Sequence, residues 1–205
     1  MGNLTLILGG ARSGKSAAAV HMALQCGGGS VLYVATADPG DEEMQLRIDN
    51  HRAERPAEWQ TVEARHSVGR AIGRQTGSYA SVVVDCVTLL VSNLLVDQPN
   101  PYAEEVQKQV EQEIGALVEA ARAMPCHSDT IVVSNEVGTG LAPVTPLGRA
   151  FRDLLGQANQ RLAAASDRVV LMVAGIPVIL KGGASSGSGS AGAAGGATWV
   201  TESDA

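Results

Sequence analysis

The 205-residue sequence predicts an α/β fold with a mainly parallel central sheet flanked by helices. Three observations lead there. Short aliphatic runs recur along the chain, and they are continuous rather than alternating, as in strands covered on both faces. Helical patterns separate these runs, and such alternation builds parallel sheets through crossovers. The first run also passes through a glycine-rich segment directly into a helical pattern.

The elements follow in order. Residues 4–8 form the first aliphatic run and residues 15–25 an alanine-rich helix. Residues 31–35 are a second buried strand, and Thr36-Ala37-Asp38-Pro39-Gly40 turns the chain into a helix over 42–52. That helix opens on Glu42 and Glu43, which suit the positive end of a helix dipole. Residues 82–84 are a third strand, 102–124 a long charged helix without internal proline, and 131–133 a fourth strand. Over 147–165, Leu147, Phe151, Leu154, Leu155, Ala158 and Leu162 recur at helical spacing as a core-facing stripe. Residues 169–173 close the series. The apolar run 169–180 is interrupted by Gly175 and Pro177 and is too short to span a bilayer as a helix. From Gly182 to Ala197 the chain is Gly, Ala and Ser without charge, which predicts a flexible extension. Residues 1–181 are therefore expected to form a single domain and 182–205 a tail.

Composition narrows the function. Apolar residues are 45% of the chain, enough for a core without disulfide staples. Aromatics are only 3%, too few to stack bases, and a net charge of −6 leaves no basic stripe for a phosphate backbone. Neither nucleic-acid binding nor stable membrane insertion is expected. Cys26, Cys86 and Cys126 are odd in number and widely spaced, which favours a reducing, cytoplasmic setting over a disulfide framework or a zinc site.

The strongest motif is Gly9-Gly10-Ala11-Arg12-Ser13-Gly14-Lys15-Ser16, which fits G-x-x-x-x-G-K-[ST] between a strand and a helix. Glycines let backbone N–H groups turn toward an anion, and the helix N-terminus adds its partial charge. Lys15 would reach the outer phosphates of a nucleoside triphosphate, and Ser16 would ligate Mg²⁺. Asp85 ends the strand 82–84, where open α/β sheets place their ligands. It reads as a second Mg²⁺ ligand or as a carboxylate capping a strand end. These residues imply a nucleotide but no particular reaction, since motors, switches and small-molecule kinases all begin this way.

On the helix over 42–52, Arg47 and His51 are four residues apart on one face, which Arg55 continues. Cation, imidazole and cation in a row suit a phosphate chain, and a neutral imidazole is a competent nucleophile toward phosphorus. A solvated helix with a surface histidine shows the same pattern. Asn135-Glu136-Val137-Gly138 follows the strand 131–133 and reads either as part of the site or as a turn. Arg149 and Arg152 read as phosphate ligands or as solvated helix charges.

Together these stretches resemble the bifunctional adenosylcobinamide kinase and adenosylcobinamide-phosphate guanylyltransferase family, the CobU/CobP type. The resemblance is carried by the run from Leu8 to Ser16, by Tyr33-Val34-Ala35-Thr36-Ala37, and by Glu42-Glu43-Met44 with Arg47-Ile48, His51, Arg55-Pro56, Trp59 and Glu63. Ser134-Asn135-Glu136-Val137-Gly138, Phe151-Arg152-Asp153 and Asn159-Gln160-Arg161-Leu162-Ala163 extend it, as do Asp85-Cys86-Val87-Thr88-Leu89 and Ser92-Asn93-Leu94. It implies a P-loop NTPase-like, RecA-like fold and two reactions. ATP or GTP phosphorylates adenosylcobinamide. GMP then passes from GTP to adenosylcobinamide phosphate through a guanylyl-histidine, giving adenosylcobinamide-GDP and pyrophosphate in cobalamin biosynthesis. The histidine is His51, preceded here by Asn50 where some relatives carry a second histidine. The resemblance extends the nucleotide site to Ala35, Thr36, Ala37, Arg52, Ala53, Glu54, Arg55, Glu63 and Asp85, leaving Asp85 to serve nucleotide or metal. It further implies a homo-oligomer, a trimer.

Overall fold

The computed structural model describes residues 2–182 apart from 27–29, 39, 41, 54, 126 and 127, and for Glu42, Glu43, Met44, Arg47, Asn50 and His51 it describes the backbone alone. The expected tail beyond Gly182, together with Glu54 and Cys126, lies outside the described residues. The elements run β1 (Asn3–Gly9), α1 (Lys15–Gln25), β2 (Val31–Ala35), α2 (Glu42–Ala53), β3 (Gln60–Glu63), α3 (Val68–Gly73), β4 (Ser81–Asp85), α4 (Val87–Val96), α5 (Glu104–Ala123), β5 (Asp129–Val133), α6 (Pro146–Ala165), β6 (Arg168–Val173) and β7 (Ile176–Lys181).

One seven-stranded sheet has the order β3-β2-β4-β5-β1-β6-β7. Every neighbouring pair is parallel except β6–β7. β5 therefore separates β1, which leads into the phosphate loop, from β4, which ends at Asp85. This is the P-loop NTPase-like, RecA-like α/β architecture that the sequence predicts.

Strand alternation divides the core. Leu4, Leu6 and Leu8 of β1 face a large cluster with Leu32, Val34, Val82 and Val84, covered by α3, α4, α5 and α6. Ile7 faces the other way, toward Tyr33, Val83, Ile131 and Trp59, where Ala19 and Ala23 of α1 pack. The small alanines let α1 lie close to the sheet, and that brings its N-terminus to the C-terminal edge of β1. On α5, Val106, Val110, Ile114, Leu117 and Ala121 form one buried stripe at spacings of three and four.

One expectation is corrected and another extended. In α6, Leu147 is 43% exposed and Phe151 only half-buried, while Ala150 and Asn159 join the buried face, so the stripe is rotated. The expected strand 169–173 is β6, and the remainder of the apolar run adds β7, which turns back on it as a β-hairpin. Ala174 and Gly175 both take positive φ (51° and 82°), as a two-residue turn with the twist of antiparallel strands requires.

Candidate active site

β1 ends in a loop whose shape depends on glycine. Gly9 has φ 154°, and a Cβ there would sit 2.5 Å from Ser13 Oγ and 2.6 Å from the Met172 carbonyl oxygen. Gly14, at φ 90°, caps α1 without any side-chain hydrogen bond, leaving the leading N–H groups of the helix toward the loop. Two neighbours hold the loop in place. The Glu136 N–H donates to the Gly9 carbonyl (3.0 Å), and the Gly175 N–H donates to the Ser13 carbonyl (3.1 Å).

Lys15 opens α1 and is 8% exposed. Its Nζ donates to the Gly10 carbonyl at 2.5 Å and lies 3.5 Å from Ser13 Oγ. Burial lowers its pKa, while Cys86 and the Asp85 charge oppose that shift. The ammonium thus rests inside the loop on weak dipoles, an arrangement that a phosphate oxygen would replace favourably.

The loop opens into a cleft of about 750 Å³, the size range of ligand sites. Arg12, Lys15 and Ser16 line one side, Ala35, Ala37 and Asp85 the strand ends, and Gln45, Ile48 and Arg52 the opposite wall. These last three sit on α2 at spacings of three and four, so one face of α2 forms that wall. His51 lies on the same helix, three residues after Ile48 and one before Arg52; its side chain is outside the described atoms.

The floor is built by residues that periodicity alone does not single out. Tyr33 is 2% exposed and donates its hydroxyl to Asp85 Oδ2 at 2.6 Å. Burial and the adjacent Asp85 raise the Tyr33 pKa against the opposing pull of Arg55, so the phenol remains a neutral donor. The Arg55 guanidinium lies 3.5 Å from the centre of the Tyr33 ring, and its Nε and Nη1 are buried without a hydrogen-bond partner. A guanidinium with two nitrogens unpaired among the described residues, in the same cleft as the phosphate loop, suits an anion. Asn135 also lines the cleft; its N–H donates to Thr88 Oγ1 (2.8 Å) and its carbonyl accepts from Asn159 Nδ2 (2.9 Å).

The other expected residues take varied places. Thr36 is fully buried, and its Oγ1 donates to the Cys86 carbonyl and accepts from the Cys86 N–H, both at 2.7 Å, lacing the ends of β2 and β4 together. Arg52 and Glu63 pair with each other across the cleft rim at 2.6 Å, both largely exposed. Ala11, Ser13 and Gly14 line the cleft, whereas Gly9, Gly10 and Ala53 do not. Arg149 is held by the carbonyls of Pro143 and Val144, and Arg152 by Asp153. Desolvation of the half-buried Cys86, together with the Asp85 charge, pushes its pKa up to about 12 and keeps it a neutral thiol. Among the described residues no group of three or more His, Cys, Asp or Glu side chains is placed to hold a metal.

Comparison with known proteins places the chain in a family. A family model described as cobinamide kinase / cobinamide phosphate guanyltransferase, CobU, matches residues 5–180. The chain belongs to this family. It is 40% identical over 185 residues to the bifunctional adenosylcobalamin biosynthesis protein CobU of Escherichia coli (strain K12), covering 87% of this chain and 99% of that protein. It is 38% identical over 184 residues to the Salmonella typhimurium protein of the same name, again covering 87% and 99%. It is 40% identical over 178 residues to the bifunctional adenosylcobalamin biosynthesis protein CobP of Pseudomonas aeruginosa, covering 86% and 96%. Among solved structures, the RadB recombinase aligns over 82% of this chain and 73% of that one, at 19% identity and a TM-score of 0.49. Membership of the CobU family makes the chain a transferase, with kinase and guanyltransferase activity. Among the described residues no helix is long and apolar enough to cross a membrane.

Proposed function

We propose that this one cleft serves two successive transfers. In the first, the terminal phosphoryl group of ATP or GTP passes to the hydroxyl of adenosylcobinamide. The P–O bond to the nucleoside diphosphate breaks, and the hydroxyl proton is lost. In the second, an imidazole nitrogen of His51 attacks the α-phosphorus of GTP, and pyrophosphate leaves. The phosphate oxygen of adenosylcobinamide phosphate then attacks that phosphorus, the P–N bond breaks, and adenosylcobinamide-GDP forms with His51 regenerated.

One observation supports this reading above the others: the phosphate loop and the helix bearing His51 are two walls of the same cleft. Lys15 and the leading N–H groups of α1 stabilise charge on the departing oxygens. The cationic Arg55, on its aromatic platform, holds a further phosphate oxygen. A Mg²⁺ ion would be held by Ser16, Asp85 and nucleotide oxygens, a donor set that suits an ion binding few protein ligands. When bound it would neutralise phosphate charge. A P–N bond is labile enough to hand GMP onward, so the covalent route divides one hard displacement into two.

Incubation with GTP labelled in the α-phosphate is the direct test. The wild type should form an acid-labile GMP adduct that His51→Ala lacks. Kinase activity without any adduct would reduce the enzyme to a small-molecule kinase. We further propose that residues 1–181 are the catalytic unit, so a chain ending at Lys181 should retain both steps. Assembly as a homo-oligomer, a trimer by family resemblance, and residence in the cytoplasm belong to the same reading.

A further inference from the structure

The loop between β5 and α6 is held firmly yet presents apolar side chains to solvent. Leu141 is 97% exposed and Val144 92% exposed, more than any other large hydrophobic residue described, including those of the β6–β7 hairpin, of which Ile176 at 65% is the most exposed. The loop backbone is fixed at several points. Arg149 Nη1 donates to the carbonyls of Pro143 (3.0 Å) and Val144 (2.9 Å). Thr145 Oγ1 accepts from the Gly148 N–H, and the Tyr102 hydroxyl donates to the Pro146 carbonyl. Gly148 has no side chain to hold Pro143 away, since a Cβ there would meet Pro143 Cβ at 2.8 Å. A segment so anchored does not expose two aliphatic residues for want of somewhere else to put them.

Its position supplies the reason. β5 runs parallel to β1, so this loop leaves the sheet at the same edge as the phosphate loop. Its root is bonded to that loop through the Glu136 N–H and the Gly9 carbonyl, and the preceding residue, Asn135, lines the cleft. A cleft of about 750 Å³ takes a nucleotide. It has no room for a corrin macrocycle as well, so the acceptor must extend its hydroxyl arm inward while its ring rests outside. A corrin ring offers methyl-bearing, apolar edges between its amide arms.

We propose that Leu141 and Val144 form an apolar shelf that receives the macrocycle of the cobinamide substrate, and that Arg149 is the residue that positions this shelf. The assignment rests on the kinase and guanylyltransferase reading above. It gives the acceptor a surface separate from the nucleotide wall and bonded to the phosphate loop, so docking the ring sets where the hydroxyl lies relative to the phosphates.

The test compares wild type with Leu141→Ser/Val144→Ser and with Arg149→Ala. Steady-state kinase assays with adenosylcobinamide and with nucleotide are joined by equilibrium dialysis against adenosylcobinamide alone. Both variants should raise the KM for adenosylcobinamide by about tenfold, equivalent to about 1.4 kcal/mol, and weaken its retention in dialysis. The KM for nucleotide and the yield of GMP adduct from GTP alone should stay at wild-type values, which also reports that the variants fold. An unchanged KM for adenosylcobinamide in the double variant overturns the shelf. So does a change of molar mass by light scattering with an unchanged substrate KM, which would make the surface a contact between copies of the chain. A wild type that neither binds nor phosphorylates cobinamide removes the underlying reading instead, and the shelf with it.

Discussion

Lys15 and Tyr33 mark the two limits of what single residues reveal. Lys15 is legible because the loop motif is local: eight consecutive residues fix both its place and its role. Its removal should cost at least about 100-fold in kcat/KM for nucleotide, the loss typical of one charge-stabilising donor. The thermal midpoint should barely move, since its present partners are loop dipoles rather than a salt bridge. Labelled-GTP adduct formation and calorimetry would check the two halves. Tyr33 is not legible in that way. Its partners, Asp85 and Arg55, lie 52 and 22 residues away in sequence, and only the register of β2 beside β4 brings the phenol to the carboxylate. Apart from its place in the stretch that carries the family resemblance, its sequence signal is an aromatic ring inside an aliphatic strand of a chain with 3% aromatics. Tyr33→Phe keeps the ring beneath Arg55 but takes the donor from Asp85. It should destabilise the fold by about 1.5–3 kcal/mol, as a lost hydrogen bond to a charged group does. Urea unfolding would measure this.

The elements divide according to what covers them. β2, β4 and β5 are continuous aliphatic runs, and each is buried almost throughout. Their pattern therefore declares them. β3 is a four-residue strand at the sheet edge with little burial, so Gln60-Thr61-Val62-Glu63 gives no periodic signal. α4 is missed for the opposite reason. Val87, Leu90, Val91 and Leu95 of α4 are buried where the helix packs against α5 and α6, and the run Leu89-Leu90-Val91 is too uniformly apolar to show helical amphipathicity. α3 is held to α5 by an approach so close that Gly69 has no room for a methyl group beside the Ala116 carbonyl. Gly69→Ala must push the two helices apart. It should cost about 1–3 kcal/mol, as overpacking does, and lower the melting temperature by roughly 2–10 °C. GMP adduct formation from GTP should persist at 25 °C, because neither helix reaches the phosphate loop.

At the scale of the whole molecule, distant ends of the chain meet at one carboxylate. Asp167 Oδ2 accepts from the Leu4 N–H (2.8 Å) and from Arg122 Nη1 (2.6 Å), and Oδ1 accepts from Arg122 Nη2 (3.1 Å). Arg122 also reaches the Gly2 and Ala165 carbonyls, so α5, α6 and the starts of β1 and β6 share a single clasp. The Arg122 hydrogen bond holds the Asp167 pKa below the usual 3.8. A depressed carboxylate pKa adds stability above the unfolded value and loses it as pH falls through the folded one. Asp167 is half exposed, so solvent screens the pair, and its worth is about 1 kcal/mol or less. Asp167→Asn should therefore melt about 2–4 °C below wild type at pH 7. The gap should close as pH falls below about 4, which melting curves across that range would show.

The placing of β1 at the middle of the sheet has a bearing on biosynthesis. The strand is synthesised before the other strands described, but its neighbours in the sheet are β5 and β6, whose registers begin at Asn3↔Asp129 and Thr5↔Arg168. The hairpin turn at Gly175 that braces Ser13 comes later still. A nascent polypeptide halted near residue 160 would carry the full nucleotide-recognition motif and β5, but neither β6 on its other side nor the Gly175 turn that braces Ser13. Competence to bind should thus arrive abruptly, once β6 and the Gly175 turn have been made, as expected where pairing is non-local and slow to close.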